Sequence, residues 1–275
     1  MRLALYAHYS ATNEVALYVP FYLRSLRELG FRVCFISNSS IPESARDELR
    51  SICEKVIQRD NIGYDFSMWK QALAEFELGQ FDELLITNSS IIGPLKPLAP
   101  LWTSPKLLQC DFWGLTNNHE FGRHLQSYFA VFRKEVLHSS CFMDFWHSVL
   151  PFNDKQQIIQ SYEVGMTRWL EERGFRWKAL FDNEELFSIF FSRRSIIERI
   201  RARLRNRRLR RDTTMLTPAL LLECGMPFLK LALLSRKAGP DYQVASDIAL
   251  QLLETSVIPR DILDELRISS VSSHR

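Results

Sequence analysis

RDNIGYDFSMWKQALAEFELGQFDELLITNSS, residues 59–90, decides how the rest of the chain is read. It divides into a short polar loop, a helix, and a buried strand that ends abruptly on polar residues. Gly63 permits a tight turn or the close approach of a ligand, because it has no Cβ. Asp65 falls where a helix N-cap is expected, just ahead of an apolar pattern of Phe66, Trp69, Leu73 and Phe76. Residues 81–87 form a compact apolar run, and Asn88-Ser89-Ser90 leaves its carboxyl end. In open α/β sheets ligands bind in the crevice beyond the carboxyl ends of the strands. Two polar loops one helix apart therefore point to a single shared pocket.

Upstream, residues 2–9 read as a strand and residues 14–29 as a helix closed by Gly30, a C-cap glycine. A second strand, 32–37, ends on Asn38-Ser39-Ser40. Pro42 opens a helix to about Cys53, and 55–58 form a short third strand. This alternation predicts a parallel sheet covered by helices, with right-handed crossovers. Downstream the period changes. Gly93-Pro94 and the prolines at 97, 100 and 105 mark a loop with at most a short helix, and 111–115 and 124–133 read as aromatic strands. Short connections between them predict antiparallel members in the sheet. Residues 134–150 follow as a helix with Phe142, Phe145 and Trp146 on its buried side. Residues 156–173 form another, stopped at Gly174, and 176–181 a last strand. The expected class is α/β: a mixed, mainly parallel sheet flanked by helices, with a C-terminal helical extension. The expected division is 1–182, 183–212 and 213–275.

A hydrophobic fraction of 46% in 275 residues is ample for a sizeable core. The five cysteines (34, 53, 110, 141 and 224) are odd in number and lack C-x-x-C spacing, which predicts reduced thiols in a cytoplasmic protein. The N-terminus is too short in apolar residues for a secretion signal, and no run is long enough to span a bilayer. The net charge of +3 is mild but uneven: residues 193–211 hold ten arginines and one acid, Glu198. Ile196, Ile197, Ile200 and Leu204 recur there at helical spacing. An arginine face opposite an isoleucine face predicts an interfacial amphipathic helix on the anionic inner face of the plasma membrane. A solvated helix packed on the first domain is the plain alternative. Nucleic acid is not an expected partner, since no recognition motif accompanies the arginines.

An N-x-G loop, a helix, and a hydrophobic strand closing on a polar triplet resemble the donor-sugar half of GT-A glycosyltransferases. The wording NIGYDF … FDELLITNSSIIGPL resembles the rhamnan synthesis protein F family of bacterial polysaccharide assembly. The likeness covers about residues 1–180 and continues weakly through PFLK at 227–230. It implies a GT-A-like, Rossmann-like fold and a hexosyltransferase that moves a sugar from a nucleotide-sugar donor. dTDP-L-rhamnose is the candidate donor. The acceptor would be a glycan or lipid-linked chain of a cell-envelope polysaccharide or lipopolysaccharide. A catalytically silent GT-A-like module that binds glycan or assembly partners is the other reading.

GT-A enzymes usually meet the diphosphate with a divalent metal held by Asp-x-Asp, because a hard cation prefers carboxylate oxygens. Here the corresponding residues are Asn88, Ser89 and Ser90, so no metal ligand is assigned and a role for Mg²⁺ or Mn²⁺ is left open. Arg59 and Lys96 are candidate cations by loop position alone. Asp82 and Glu83 begin their strand and should point away from the crevice. The family's N-x-G-x-D run makes Asp60, Asn61, Gly63 and Asp65 donor-binding candidates, and Asp65 serves equally well as a plain N-cap. HLQSYF puts His124 and Gln126 on one side of a strand, where they could line an acceptor cleft, although a histidine there is as readily a packed one. Asp111, opening DFWGL, is a pocket candidate by resemblance. In SYEVGMTRWLEERGF, Glu163 precedes Gly174 by eleven residues. That spacing resembles the second acid of the Glu-Asp pair of inverting GT-A enzymes, which implies a general base. An ordinary first-turn helix acid is its alternative.

Overall fold

A computed structural model describes residues 1–192, 213–234, 251–256 and 258–272. The arginine-rich run at 193–211 lies outside the described residues. The strands and helices of the first ninety residues alternate as expected: β1 (Arg2–His8), α1 (Tyr18–Glu28), β2 (Phe31–Ser37), α2 (Glu43–Ile52), β3 (Lys55–Gln58), α3 (Tyr64–Leu73) and β4 (Glu83–Asn88). Then come β5 (Ile91–Ile92), β6 (Phe112–Asn118), β7 (His124–Leu125), β8 (Phe129–Arg133), β9 (Trp177–Phe181) and β10 (Leu229–Lys230).

The main sheet runs β3-β2-β1-β4-β8-β6-β7, with β9 beside β6. β1 to β4 are mutually parallel, β8 is antiparallel to both β4 and β6, and β6 is parallel to β9. The carboxyl ends of β1 to β4 and of β6 therefore share one edge. β1 lies between β2 and β4, so the strand order reverses there, the topological switch at which such sheets bind ligands. The sheet is thus mixed and mainly parallel, as the sequence predicts.

Alternation along β1 separates two cores. Ala4 and Tyr6 face α1 and α2 with Tyr22, Leu23, Leu26 and Leu49, while Leu3, Leu5 and Ala7 face α3 with Phe66 and Trp69. Phe142, Phe145 and Trp146 are buried on the α3 side, as their spacing predicts. Leu221, Phe228, Leu233 and Ile262 from the C-terminal segment join the α1 core, so the described part of 213–275 packs on the sheet and has no core of its own.

Several elements depart from the sequence expectation. The first helix begins at Tyr18 because the segment before it makes its own bonds: Ser10 N–H donates to Ser39 Oγ at 2.8 Å, and Glu14 N–H to Ser10 Oγ at 3.2 Å. The helix expected over 134–150 is two, Lys134–Leu137 and Ser140–Ser148, with Ser139 Oγ capping Phe142 N–H. The strand over 124–133 breaks between β7 and β8, where Gln126 N–H turns to Thr116 O. The apolar run 226–234 is extended at first and ends in a 3-10 turn, Leu231–Leu234. It holds β10, which pairs antiparallel with β5. Asp65 is not the N-cap of α3. That position is Gly63, at φ 79°, and no side chain caps the helix. All described cysteines are free thiols. Among the described residues no helix is long and apolar enough to cross a membrane.

Candidate active site

A cleft with two lobes opens at the carboxyl edge of the sheet. The first lobe, of about 560 Å³, is formed by the residues leaving β1, β2, β3 and β4: Tyr9, Asn38, Asn61 with Gly63, and the triplet 88–90. The second, of about 650 Å³, is lined by Asn118 at the end of β6, His124, Gln126, Ser127, Glu163 and Lys230. Tyr64, Asp65, Asn88, Ser90 and Leu231 belong to both and form their common wall.

Gly63 is the hinge of the first lobe. Its φ of 79° is open to glycine, and a Cβ there would lie 2.8 Å from the Pro151 backbone. Tyr64 continues the turn at φ 52°, a conformation that a bulky side chain rarely holds and that clusters at functional sites. This double left-handed step turns α3 so that Asp65, its second residue, faces the cleft and not its own helix terminus.

The triplet after β4 is a bonded unit. Asn88 Nδ2 donates to Asp65 Oδ2 at 2.7 Å, while Asn88 Oδ1 accepts from Ser90 N–H at 3.1 Å and Ser90 Oγ at 2.6 Å. Ser89 Oγ accepts from Tyr9 N–H at 3.3 Å, and Ser89 O accepts from the Tyr18 hydroxyl at 2.9 Å. Burial pushes the Asp65 carboxyl up to about 6, against the Asn88 bond, with Glu163 raising it further and Lys230 and Lys155 opposing. His8, at the end of β1, is pushed down to about 4 by burial and stays neutral, with Nδ1 2.9 Å from Ser37 Oγ.

Glu163 lies well inside its helix. That helix starts at Lys155, with Asp154 capping Gln157 N–H, and passes through a π-helical stretch, Ile159–Val164, before Gly165–Glu171. The first-turn alternative for Glu163 therefore falls. π turns are uncommon and recur at functional sites. Glu163 Oε1 accepts from Ser127 N–H at 2.6 Å and Ser127 Oγ at 2.8 Å, and Oε2 lies 3.9 Å from His124 Nε2. His124 is almost wholly buried, and its Nδ1–H donates to Gly122 O at 2.7 Å, which leaves Nε2 toward the carboxylate. Gln126 is held by Thr116 Oγ1 at 2.7 Å.

The sequence-predicted residues thus divide. Asn61, Gly63, Asp65, Asn88, Ser89 and Ser90 line the first lobe, and His124, Gln126 and Glu163 the second, with Asp65, Asn88 and Ser90 in both. Arg59 and Asp60 stand beside the cleft and line neither lobe. Arg59 N–H bonds Ser37 O at 2.9 Å, and its buried Nη1 meets no partner among the described residues. Asp111 is a correction. It precedes β6 at the edge opposite the cleft, where it accepts from Arg176 N–H at 2.7 Å and pairs with the Arg176 guanidinium at 3.5 Å. Lys96 is another: it lines neither lobe, and its Nζ donates to Leu222 O at 2.7 Å. Asp82 and Glu83 sit away from the cleft, paired with the N-terminus and with Arg2. Sequence reasoning did not single out Asn38, whose Oδ1 is buried without a partner among the described residues, although its Asn-Ser-Ser repeats the triplet after β4. It also missed Lys155 and Lys230, which reach the second lobe from distant segments.

The donor set does not suit a divalent metal in the Asp-x-Asp manner. Among the described residues Asp65 is the one carboxylate bonded to the triplet, and the oxygen of Asn88 is already used twice. Among the described residues no group of three histidine, cysteine or acidic side chains converges.

"Uncharacterized protein y4gN" of Sinorhizobium fredii is 28% identical over 174 residues, 61% of this chain and 45% of the relative. "Virulence protein VirA" of Vibrio anguillarum is 28% identical over 149 residues, 52% of this chain and 47% of the relative. The chain thus spans about half the length of the curated relatives it matches. Among solved structures, the glycosyltransferase GlyE of Streptococcus pneumoniae TIGR4 aligns with 98% of this chain and 64% of its own, at 13% identity and a TM-score of 0.45. A glycosyltransferase involved in glycosylation of the major capsid of PBCV-1 aligns with 92% and 98%, at 11% identity and a TM-score of 0.35. Residues 33–272 match the model of the rhamnan synthesis protein F family, and the chain belongs to that family.

Proposed function

We propose that the protein is an inverting glycosyltransferase that transfers a sugar, with dTDP-L-rhamnose as first candidate donor, to a growing cell-envelope polysaccharide or lipopolysaccharide. The observation that carries this reading is the state of Glu163. One carboxylate oxygen is fully engaged by Ser127 and the other faces the second lobe. A base held by one oxygen and open at the other suits proton abstraction in a fixed direction. The nucleoside of the donor would occupy the first lobe, where Asn38 and Asn61 offer amide edges, and the sugar would cross the shared wall. An acceptor hydroxyl in the second lobe would give its proton to Glu163 Oε2 as its oxygen attacks the anomeric carbon. The bond from that carbon to the diphosphate breaks on the opposite face, which inverts the configuration. His124 Nε2 stands close enough to orient the carboxylate or the incoming hydroxyl.

The test is hydrolysis and transfer with a panel of dTDP-, UDP- and GDP-sugars, each with and without EDTA. Turnover of one donor that survives chelation is expected, since the triplet offers no carboxylate. Tight binding of a donor without turnover would instead leave the silent glycan- or partner-binding module. Loss on chelation, restored by Mn²⁺ or Mg²⁺, would mean that other residues hold an ion.

A further inference from the structure

The poor fit of the triplet to a metal leaves a question of charge. A nucleoside diphosphate brings two to three negative charges to the wall between the lobes, and Asp65 stands there already. Among the described residues that line either lobe, the lysine and arginine side chains are two, Lys155 and Lys230. Arg59 and Lys96 line neither lobe.

Lys230 is placed by the backbone. β10 lies antiparallel to β5 with Lys230 opposite Ile91, and the next residue, Leu231, donates its N–H to Ser90 O at 2.8 Å. The strand that carries Lys230 is thus bonded to the last residue of the triplet itself. Leu229 on one side is buried in the core, so alternation sends Lys230 to the cleft. Its Nζ sits 3.7 Å from the centre of the Tyr128 ring, whose hydroxyl lies 2.6 Å from Thr116 Oγ1. An aromatic face attracts an ammonium and fixes its position. Lys155 enters the same lobe from the first turn of the π-bulged helix.

We propose that Lys230, assisted by Lys155, supplies the positive charge against which the diphosphate of the donor is bound and leaves. This rests on the reading of the cleft as a nucleotide-sugar site. As the bond to the anomeric carbon breaks, the electron pair passes to the diphosphate oxygen, and the ammonium of Lys230 faces the charge that develops there. The proton taken by Glu163 does not pass through Lys230.

The experiment measures binding of UDP, dTDP and GDP, and of the matching nucleosides, by calorimetry in EDTA, with wild type, Lys230→Met, Lys230→Arg and Lys155→Met. For the preferred base, Lys230→Met should weaken diphosphate binding about 10- to 100-fold, the range of a lost charge-assisted hydrogen bond. It should leave nucleoside binding unchanged, and Lys230→Arg should recover most of the loss. Lys155→Met should cost less. Circular dichroism checks that each variant folds, and if Lys230→Met does not, the Arg and Lys155 variants read the same charge. Equal diphosphate affinity in folded wild type and Lys230→Met overturns the role of Lys230 and leaves the nucleotide site standing. Binding that appears only with Mn²⁺ or Mg²⁺ does the same. Wild-type protein that binds no nucleoside diphosphate under either condition overturns both.

Discussion

The two lobes of the cleft are made from different kinds of chain. The first is assembled from residues that leave four parallel strands, and among its described lining residues Asp65 is the sole charged side chain. Asn38, Asn61, Asn88, Ser89 and Ser90 otherwise present amides and hydroxyls. The second lobe gathers Glu163, His124, Lys155 and Lys230 from a bulged helix, a two-residue strand and a returning C-terminal segment. A lobe of neutral donors and acceptors suits recognition, because it reads shape and hydrogen-bond pattern without a large desolvation cost. A lobe of charged groups in half-buried surroundings suits chemistry, where each charge acts more strongly than it would in bulk water. Binding and turnover should therefore be separable by mutation.

The largest expected separation is at Glu163. Glu163→Gln keeps the shape and the bonds from Ser127 to Oε1 but loses the proton acceptor. Steady-state kinetics should show kcat lowered ~10²- to 10⁴-fold, with donor affinity by calorimetry little changed. An unchanged kcat would remove the base from the second lobe and erase the contrast.

Gly63→Ala should act on the first lobe and through stability. Alanine at φ 79° is strained, and its Cβ would press on the Pro151 backbone, which has to shift. Urea melts should show a loss of about 2–3 kcal/mol, with weaker donor binding in whatever fraction stays folded. A neutral result would mean that the loop relaxes freely and does not fix the mouth of the first lobe.

The smallest effect is expected at the common wall. Burial holds the Asp65 carboxyl at about 6 when folded, above its ordinary value of 3.8. Between those values the folded protein binds the proton more tightly than the unfolded chain. The stability that the neutral carboxyl contributes is therefore complete below pH 3.8 and lost as pH rises through 6. Asp65→Asn, neutral throughout, should gain on wild type across that window by about 1–2 kcal/mol, a figure discounted for partial exposure. Thermal melts of both proteins from pH 4 to 7 measure it. A difference that stays flat with pH would show the carboxylate to be solvated through the cleft.

Most of the parallel half was legible from residues alone. Strand and helix periods, the Gly30 stop and the polar triplets depend on neighbours a few positions away, so β1 to β4 and the first lobe followed. The second lobe depended on long-range pairings that leave no local period. Nothing in MPFLKLALL announces that residues 229–230 pair with 91–92, and an apolar run of that length reads equally as a helix. Glu163 was placed by its spacing from Gly174, yet its helix begins earlier than a first-turn reading requires. Asp111 was a different kind of error. The rule that set Asp82 and Glu83 aside, that the first residues of a strand lie at the wrong edge, applied to Asp111 as well, and the resemblance overrode it. Asp65 lines both lobes but does not cap the helix, because two consecutive left-handed residues place the cap position at Gly63.

The pairing of β10 with β5 also has a consequence for when the protein becomes competent. Chains are made from the N-terminus, and units fold as they emerge. The sheet from β1 to β9 is complete once residue 181 has been synthesised, but β5 then still waits for a partner. Lys230 and Leu231, which finish the wall and the second lobe, arrive some fifty residues later. The nascent chain thus passes through a stage with its first lobe nearly formed and its second still lacking Lys230.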